Sequence, residues 1–272
     1  MMKIIDGEKL AIKREVALKI KVDQLREKGI KLKLVTIVME DDEAGLLYSR
    51  LKEEAGKRVG IELEKVLVED VRVENIVGLV EEYNEDEKVK GIMIQRPSMK
   101  WGKNRGMKRQ EFEDWWNQIV GKIDPEKDVD GLRKDSKFLM AVIKAVMVVK
   151  KEADKKWGNA AVVGSKGMVG NKLIEYLEKR HVDVKGFDLG DDLNKELIKA
   201  DWIISAAGRE NLIKKEMIKE GAGIIDVGWP KGDVDFENVK EKAGVITPVP
   251  GGIGPLTVIS LLENLVKAVY IY

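Results

Sequence analysis

Apolar and polar positions follow two different periods along this chain, and the period switches repeatedly. Ile12, Val16 and Ile20 fall four apart in a polar stretch, so residues 8–28 read as a helix with these three on one apolar face. Lys-Leu-Val-Thr-Ile-Val at 33–38 is a short run rich in β-branched residues, the mark of a buried strand. The alternation continues with a helix at 44–59 stopped by Gly60, a strand at 63–68, a helix at 73–86 and a strand at 91–95 halted by Pro97. A polar stretch with three tryptophans, 98–123, reads as an irregular loop and one short helix, and a long helix follows over 136–152. Strands are then expected at 159–164, 182–188, 201–206 and 223–227, with a helix at 167–180. Strands that alternate with helices predict an α/β fold with parallel sheets.

Length and composition sharpen this picture. The 272 residues exceed what one core needs and suit two α/β domains. Lys plus Arg total 49 against 48 Asp plus Glu, so no basic footprint for nucleic acid is expected. The longest apolar run, 138–149, is about a dozen residues and holds Lys144, whereas a membrane span needs roughly 20. The first residues lack the apolar core of a signal peptide, so a cytoplasmic chain with no membrane partner is expected. There is no cysteine, which removes disulfides, thiolate zinc sites and cysteine nucleophiles. One histidine, His181, makes neither a metal site nor a Ser-His-Asp triad, and no metal is expected.

Candidate chemistry falls on five segments. Ala160-Ala-Val-Val-Gly-Ser-Lys-Gly-Met-Val-Gly170 runs from a strand into a helix, with Gly164, Gly167 and Gly170 in the turn. Glycines let a backbone approach a diphosphate, and the helix N-terminus supplies unpaired N–H groups. An ordinary strand-to-helix turn is the alternative. Tyr48 and Lys52 lie four apart on one helix face, and a lysine on an inward stripe marks either a cleft or a stem reaching past the core edge. Gln95 ends a strand, where ligands of open parallel sheets sit, although it could equally face solvent. Asp128 and Asp130 occupy a turn between the domains, and turn or capping roles would suffice for them. Thr247-Pro-Val-Pro-Gly-Gly-Ile-Gly-Pro255 is a rigid loop with few side chains, placed before a final helix opened by Thr257.

Together these segments resemble the bifunctional methylenetetrahydrofolate dehydrogenase/methenyltetrahydrofolate cyclohydrolase family over nearly the whole chain. Tyr-x-x-x-Lys at 48–52, the strand-end Gln95, Lys127-Asp-Val-Asp-Gly131 and the Thr-Pro-Val-Pro-Gly-Gly loop occur in the family's order. Gly221-Ala-Gly-Ile-Ile-Asp-Val-Gly228 and Gly232-Asp-Val-Asp235 fit as well. The resemblance implies an N-terminal three-layer α/β domain, 1–135 plus the C-terminal helix 256–272, that binds folate. It implies a Rossmann-like NAD(P)-binding domain over 136–255, with a cleft between the two. Lys52 would be the cyclohydrolase lysine, Tyr48 would flank the pterin, and Gln95 would hold Lys52. Asp130 would take the amino-pyrimidine edge, and Gly252 and Pro255 would lie at the substrate. Gly164, Ser165, Lys166, Gly167, Gly170, Asp188, Ala207 and Gly208 would hold the dinucleotide. A homodimer is the implied assembly.

Three departures from the family stand out. Gly45 replaces the usual Ser, the segment between Gln95 and Asp130 is about ten residues longer, and Met140 and Val142 replace a Pro-x-Thr. A fourth concerns the cofactor. Members that use NADP hold its 2′-phosphate with an Arg after the first loop glycine and a hydroxyl at the next strand end; here Ser165 and Asp188 occupy those places. A carboxylate there repels phosphate and suits a ribose hydroxyl, so NAD is expected over NADP, with Lys166 and Lys185 as the cations that would rescue phosphate. The rival readings are a dehydrogenase-only member, a shikimate- or amino-acid-type dehydrogenase on a similar frame, and a non-catalytic dinucleotide-binding protein.

Overall fold

The computed structural model describes residues 2–270. They divide into two compact units, one holding Lys13–Ala141 and the chain from Val258 on, the other the chain up to Ile12 and Val142–Thr257. The first dozen residues, assigned from sequence to the 1–135 domain, thus cluster with the second unit. The reason is backbone pairing: Lys3–Ile4 (β1) runs parallel to Val245–Ile246 (β9). A two-residue strand is too short to leave a periodicity, so neither element was legible.

The first unit is built on a parallel sheet in which Lys33–Met39 (β2) lies between Glu62–Val68 (β3) and Val89–Ile94 (β4). From Leu34 to Met39 the central strand is fully buried, which is why it reads as a continuous run rather than an alternation. Gly7–Glu27 (α1), Glu43–Val59 (α2) and Val73–Glu85 (α3) are the helices around it. Helix α2 stops at Gly60, whose left-handed φ of 82° lets its N–H turn back to the carbonyls of Gly56 and Lys57. In α1 the expected inward face is wrong. Ile12, Val16 and Ile20 are 63%, 62% and 56% exposed, and the buried line is Leu18, Val22 and Leu25. The helix carries two apolar lines, and periodicity cannot say which one the sheet takes.

The 98–123 segment is more ordered than expected. Met99–Asn104 (α4) and Arg109–Val120 (α5) are both helical. Phe112 stacks on Trp115 with ring centroids 5.7 Å apart, and Trp101 lies 5.4 Å from Trp115. Ala141–Ala153 (α6) starts five residues later than its pattern suggested. The last helix, Ile253–Ala268 (α10), starts before Thr257, and Pro255 sits in its first turn, where no N–H is required. Asn264 of α10 donates to the carbonyls of Val129 and Leu139, at 2.9 Å each, and so ties the helix end to the first unit.

Among the described residues the second unit is a six-stranded parallel sheet. Its strands are Asn159–Val163 (β5), Asp183–Phe187 (β6), Trp202–Ser205 (β7) and Gly223–Asp226 (β8), with β9 and β1, in the order β1-β9-β8-β7-β5-β6. Met168–Glu178 (α7) connects β5 to β6, and Leu193–Leu197 (α8) and Phe236–Val239 (α9) are short. Because β6 and β7 flank β5 on opposite sides, the strand order reverses at β5. Open sheets bind ligands beyond the carboxyl ends of strands at such a reversal, and Gly164 stands there. His181 occupies the turn before β6 with a φ of 58°.

Helix α1 begins against the Pro-Gly-Gly loop. A Cβ at Gly7 would fall 1.8 Å from the carbonyl oxygen of Gly252, a backbone atom with no freedom to swing aside. Gly7→Ala should therefore lower stability by about 1–3 kcal/mol, the usual range for forced overpacking. Urea denaturation of the two proteins would measure the loss.

Candidate active site

Helix α2 points Tyr48 and Lys52 the same way, one turn apart. Lys52 is 3% exposed, its Nζ donates to Oε1 of Gln95 at 2.7 Å, and it lies 4.3 Å from the centre of the Tyr48 ring. This settles the open choice at Lys52: the ammonium is enclosed rather than reaching solvent. Gln95 directly follows β4, and its own N–H is held by the carbonyl of Ile37 at 2.8 Å. Burial pushes the Lys52 ammonium down to a pKa of about 7, with the nearby Asp130 carboxylate acting against the shift. Four residues named from sequence, Tyr48, Lys52, Gln95 and Asp130, therefore come together. Gly45 also has a physical reason: a Cβ there would fall 2.4 Å from Oδ2 of Asp42 and 3.0 Å from Cγ of Gln95.

The Lys127-Asp-Val-Asp-Gly131 motif is a scaffold for Asp130. Buried Lys127 reaches the end of α3 and donates to the carbonyls of Tyr83, Asn84 and Asp86 at 3.0, 2.6 and 2.9 Å. Its neighbour Asp128 is fully buried and accepts from the N–H groups of Leu132 and Arg133 at 3.0 and 2.8 Å. The carbonyl of Lys127 accepts from the N–H of Ile92, so the motif runs beside β4. Gly131 adopts a φ of 70° and packs against the backbone of Met140.

In the second unit the glycine turn is a cradle that side chains would fill. A Cβ on Gly164 would fall 2.5 Å from the oxygen of Ala206, and one on Gly170 would fall 2.2 Å from the oxygen of Gly164. Gly167 is the N-cap of α7. The turn therefore fits a diphosphate at a helix N-terminus. At its edge Ser165 Oγ donates to Oδ2 of Asp188 at 2.5 Å, and the N–H of Lys166 donates to the same oxygen at 2.9 Å. Asp191 stands beside them, with Oδ2 accepting from the N–H of Asp188 at 2.7 Å.

Asp233, in the Gly232-Asp-Val-Asp235 motif, organises the neighbouring turn, a role the motif itself did not reveal. It is fully buried. Its Oδ2 accepts from Ser205 Oγ at 2.8 Å and from the N–H groups of Ala207 and Gly208 at 2.7 and 3.3 Å; its Oδ1 accepts from the N–H of Arg209 at 2.7 Å. The N–H groups of Ala207 and Gly208 thus face Asp233. Asp226, at the end of the adjacent strand β8, acts similarly and accepts from the N–H groups of Gly228, Asp233 and Val234. Burial lifts its carboxyl to about 6 against those three donors. Gly252 and Pro255 belong to this unit, not to the one that holds Lys52. Among the described residues no group of three or more His, Cys, Asp or Glu is placed to hold a metal, and no helix is long and apolar enough to cross a membrane.

Two family models match the chain. The tetrahydrofolate dehydrogenase/cyclohydrolase catalytic domain covers residues 5–130, and the NAD(P)-binding domain of the same family covers 140–271. The chain belongs to the tetrahydrofolate dehydrogenase/cyclohydrolase family. Among curated relatives, the bifunctional protein FolD of Staphylococcus aureus (strain JH9) is 35% identical over 286 residues, which covers 98% of this chain and 96% of that protein. Among solved structures, the bifunctional FolD enzyme of Campylobacter jejuni superposes with a TM-score of 0.88 at 32% identity, covering 100% of this chain and 99% of that one. The Trypanosoma brucei FolD, solved with NADP and an inhibitor, gives 0.86 at 27% identity, covering 99% and 98%.

Family membership sets aside the shikimate-type and non-catalytic readings. It also gives the Asp233 turn a consequence, since that turn lies beside the glycine loop of the NAD(P)-binding domain. Asp233→Asn cannot accept on both terminal atoms. It should lose about 2–4 kcal/mol of stability, the cost of stranding buried donors, and raise the KM for the dinucleotide. Chemical denaturation and steady-state kinetics would show both effects.

Proposed function

We propose that this protein oxidises 5,10-methylenetetrahydrofolate to the methenyl form with a nicotinamide dinucleotide and then hydrolyses the product to 10-formyltetrahydrofolate. The observation that carries the reading is the enclosed Lys52, bonded to Gln95 and facing Asp130. The dinucleotide supplies the acceptor for the hydride that leaves the methylene carbon, a step that requires no proton transfer, so positioning dominates. Asp130 receives the amino-pyrimidine edge of the pterin and Tyr48 flanks the ring. Hydrolysis differs: water adds to the methenyl carbon, the bond from that carbon to N5 breaks, one proton goes to N5 and one leaves. Lys52, near neutrality in its pKa, is the group that accepts the proton of the attacking water.

Lys52→Met should abolish hydrolysis of methenyltetrahydrofolate while some dehydrogenase activity remains, as read from methenyl absorbance. In the parent, hydrolysis should rise with pH through an inflection near 7, because the amine is the active form and grows as the ammonium loses its proton. Asp130→Asn, compared at saturating substrate, should move that inflection to lower pH, since the Asp130 carboxylate is the influence that raises the Lys52 pKa. Hydrolysis by Lys52→Met at the parent rate would refute the assignment.

NAD is the preferred dinucleotide in this reading. Asp188 and Asp191 both stand at the end of β6 on the side of the glycine loop, and Ser165 donates to Asp188 rather than offering a cation. A third negative charge from a 2′-phosphate would meet two carboxylates in a partly desolvated place. The exposed Lys166 and Lys185 are the cations that could offset them. Ser165→Arg with Asp188→Ser should shift preference toward NADP. A higher kcat/KM with NADP than with NAD in the parent would overturn the NAD assignment. A homodimer would give the exposed line Ile12, Val16 and Ile20 of α1 an apolar partner.

A further inference from the structure

The segment between Gln95 and Asp130 concentrates positive charge. Lys100, Lys103, Arg105, Lys108 and Arg109 fall within residues 98–110, which contain no acidic residue, in a chain whose net charge is +1. All five are exposed. Arg105 pairs with Asp41, whereas Lys100, Lys103, Lys108 and Arg109 form no ion pair among the described residues. Of the acidic residues of α5, Glu113 pairs with Arg96, whereas Glu111 and Asp114 bond neutral donors, the N–H of Lys108 and the Gln110 amide, and keep their charge; the four unpaired cations outnumber these two carboxylates.

This charge is held in a fixed place. Trp101 Nε1 donates to Oδ1 of Asp41 at 2.8 Å, the Arg105 guanidinium lies 4.1 Å from the centre of the Trp101 ring, and Trp115 Nε1 donates to the carbonyl of Val71 at 2.8 Å. Asp41 follows β2, Val71 follows β3 and Ser98 follows β4. Helices α4 and α5 are therefore fastened across the loops at all three carboxyl strand ends. Gln95 and, through it, Lys52 belong to that same edge. Helix α2 rises about 1.5 Å per residue, so its start next to Asp41 lies roughly 13 Å from Lys52.

We propose that the basic segment 100–109 binds the oligo-γ-glutamate tail of the folate substrate; this rests on the folate reading above. A pterin held at Lys52 and Asp130 carries its glutamates at a distance, beyond an aminobenzoyl bridge. Each further γ-linked glutamate adds one free carboxylate. A row of unpaired cations on the same sheet edge, set away from the pterin residues, matches that polyanion in charge and in place. The attraction is between exposed groups, so it adds affinity for the tail without touching the reacting carbon, and it is weakened by salt.

The test compares monoglutamyl and pentaglutamyl 5,10-methylenetetrahydrofolate as substrates at low and high salt. It uses the parent, a Lys100→Gln/Lys103→Gln/Lys108→Gln/Arg109→Gln protein, and single Lys103→Glu. In the parent the pentaglutamate KM should be about tenfold lower than the monoglutamate KM, as a few exposed ion pairs would give, and the ratio should shrink as salt rises. In the neutralised protein the ratio should fall to near one, while monoglutamate kcat/KM stays within about twofold of the parent. Lys103→Glu should give an intermediate ratio. Equal KM values in the parent, a preference indifferent to salt, or one that survives neutralisation would overturn the inference. Turnover of neither substrate by the parent would instead overturn the folate reading, and this inference with it.

Discussion

An ammonium group withdrawn from water is tolerated only where acceptors and a counter-charge are held in place. The first unit is arranged around that demand at Lys52. Gln95 is pinned by the register of β4 on β2, Asp130 by the turn that Lys127 and Asp128 build, and Tyr48 by the helix that carries the lysine. Burial then sets the chemistry, because the desolvation that makes the charged form costly also brings the pKa to about 7. The same enclosure that threatens stability creates a group able to move protons at neutral pH.

Both units use fully buried aspartates as connectors rather than as reacting groups. Asp128 gathers the N–H groups after Gly131, and Asp233 gathers those of residues 207–209. A carboxylate can accept several backbone donors at once, so one side chain fixes a turn that would otherwise be loose. In each case the turn so fixed lies next to residues to which the proposed function gives a ligand: Asp130 in one unit, the glycine loop in the other. Ligand-facing loops made rigid from behind keep their geometry before substrate arrives.

The segment between Gln95 and Asp130 follows a related logic with aromatic rings. Trp101, Phe112 and Trp115 pack on one another, and two indole N–H groups reach Asp41 and Val71. Their buried packing holds the two helices, which leaves the charged positions of the same stretch facing outward. Apolar anchoring and solvated charge are thus separated within some twenty residues.

The α/β class, the alternation of elements and the pairing of Tyr48 with Lys52 followed from the sequence, because hydrophobic period and i,i+4 spacing are local properties. So did the strand–glycine–helix turn, since only glycine permits its close approaches. Other features depended on partners distant along the chain. β1 is a strand only because it pairs with β9 across more than two hundred residues, and β9 because it lies between β1 and β8. Which apolar line of α1 is buried was decided by what the helix packs on, not by its own spacing. The 98–123 segment reads as an irregular loop and one short helix, and it forms two helices where its rings are buried against the strand-end loops. Lys52 could have been a snorkelling side chain on pattern alone; the acceptor at 2.7 Å on Gln95, forty-three residues away, is what makes it a buried ammonium. Period and backbone freedom are written residue by residue, whereas burial and hydrogen-bond partners exist only once distant segments meet.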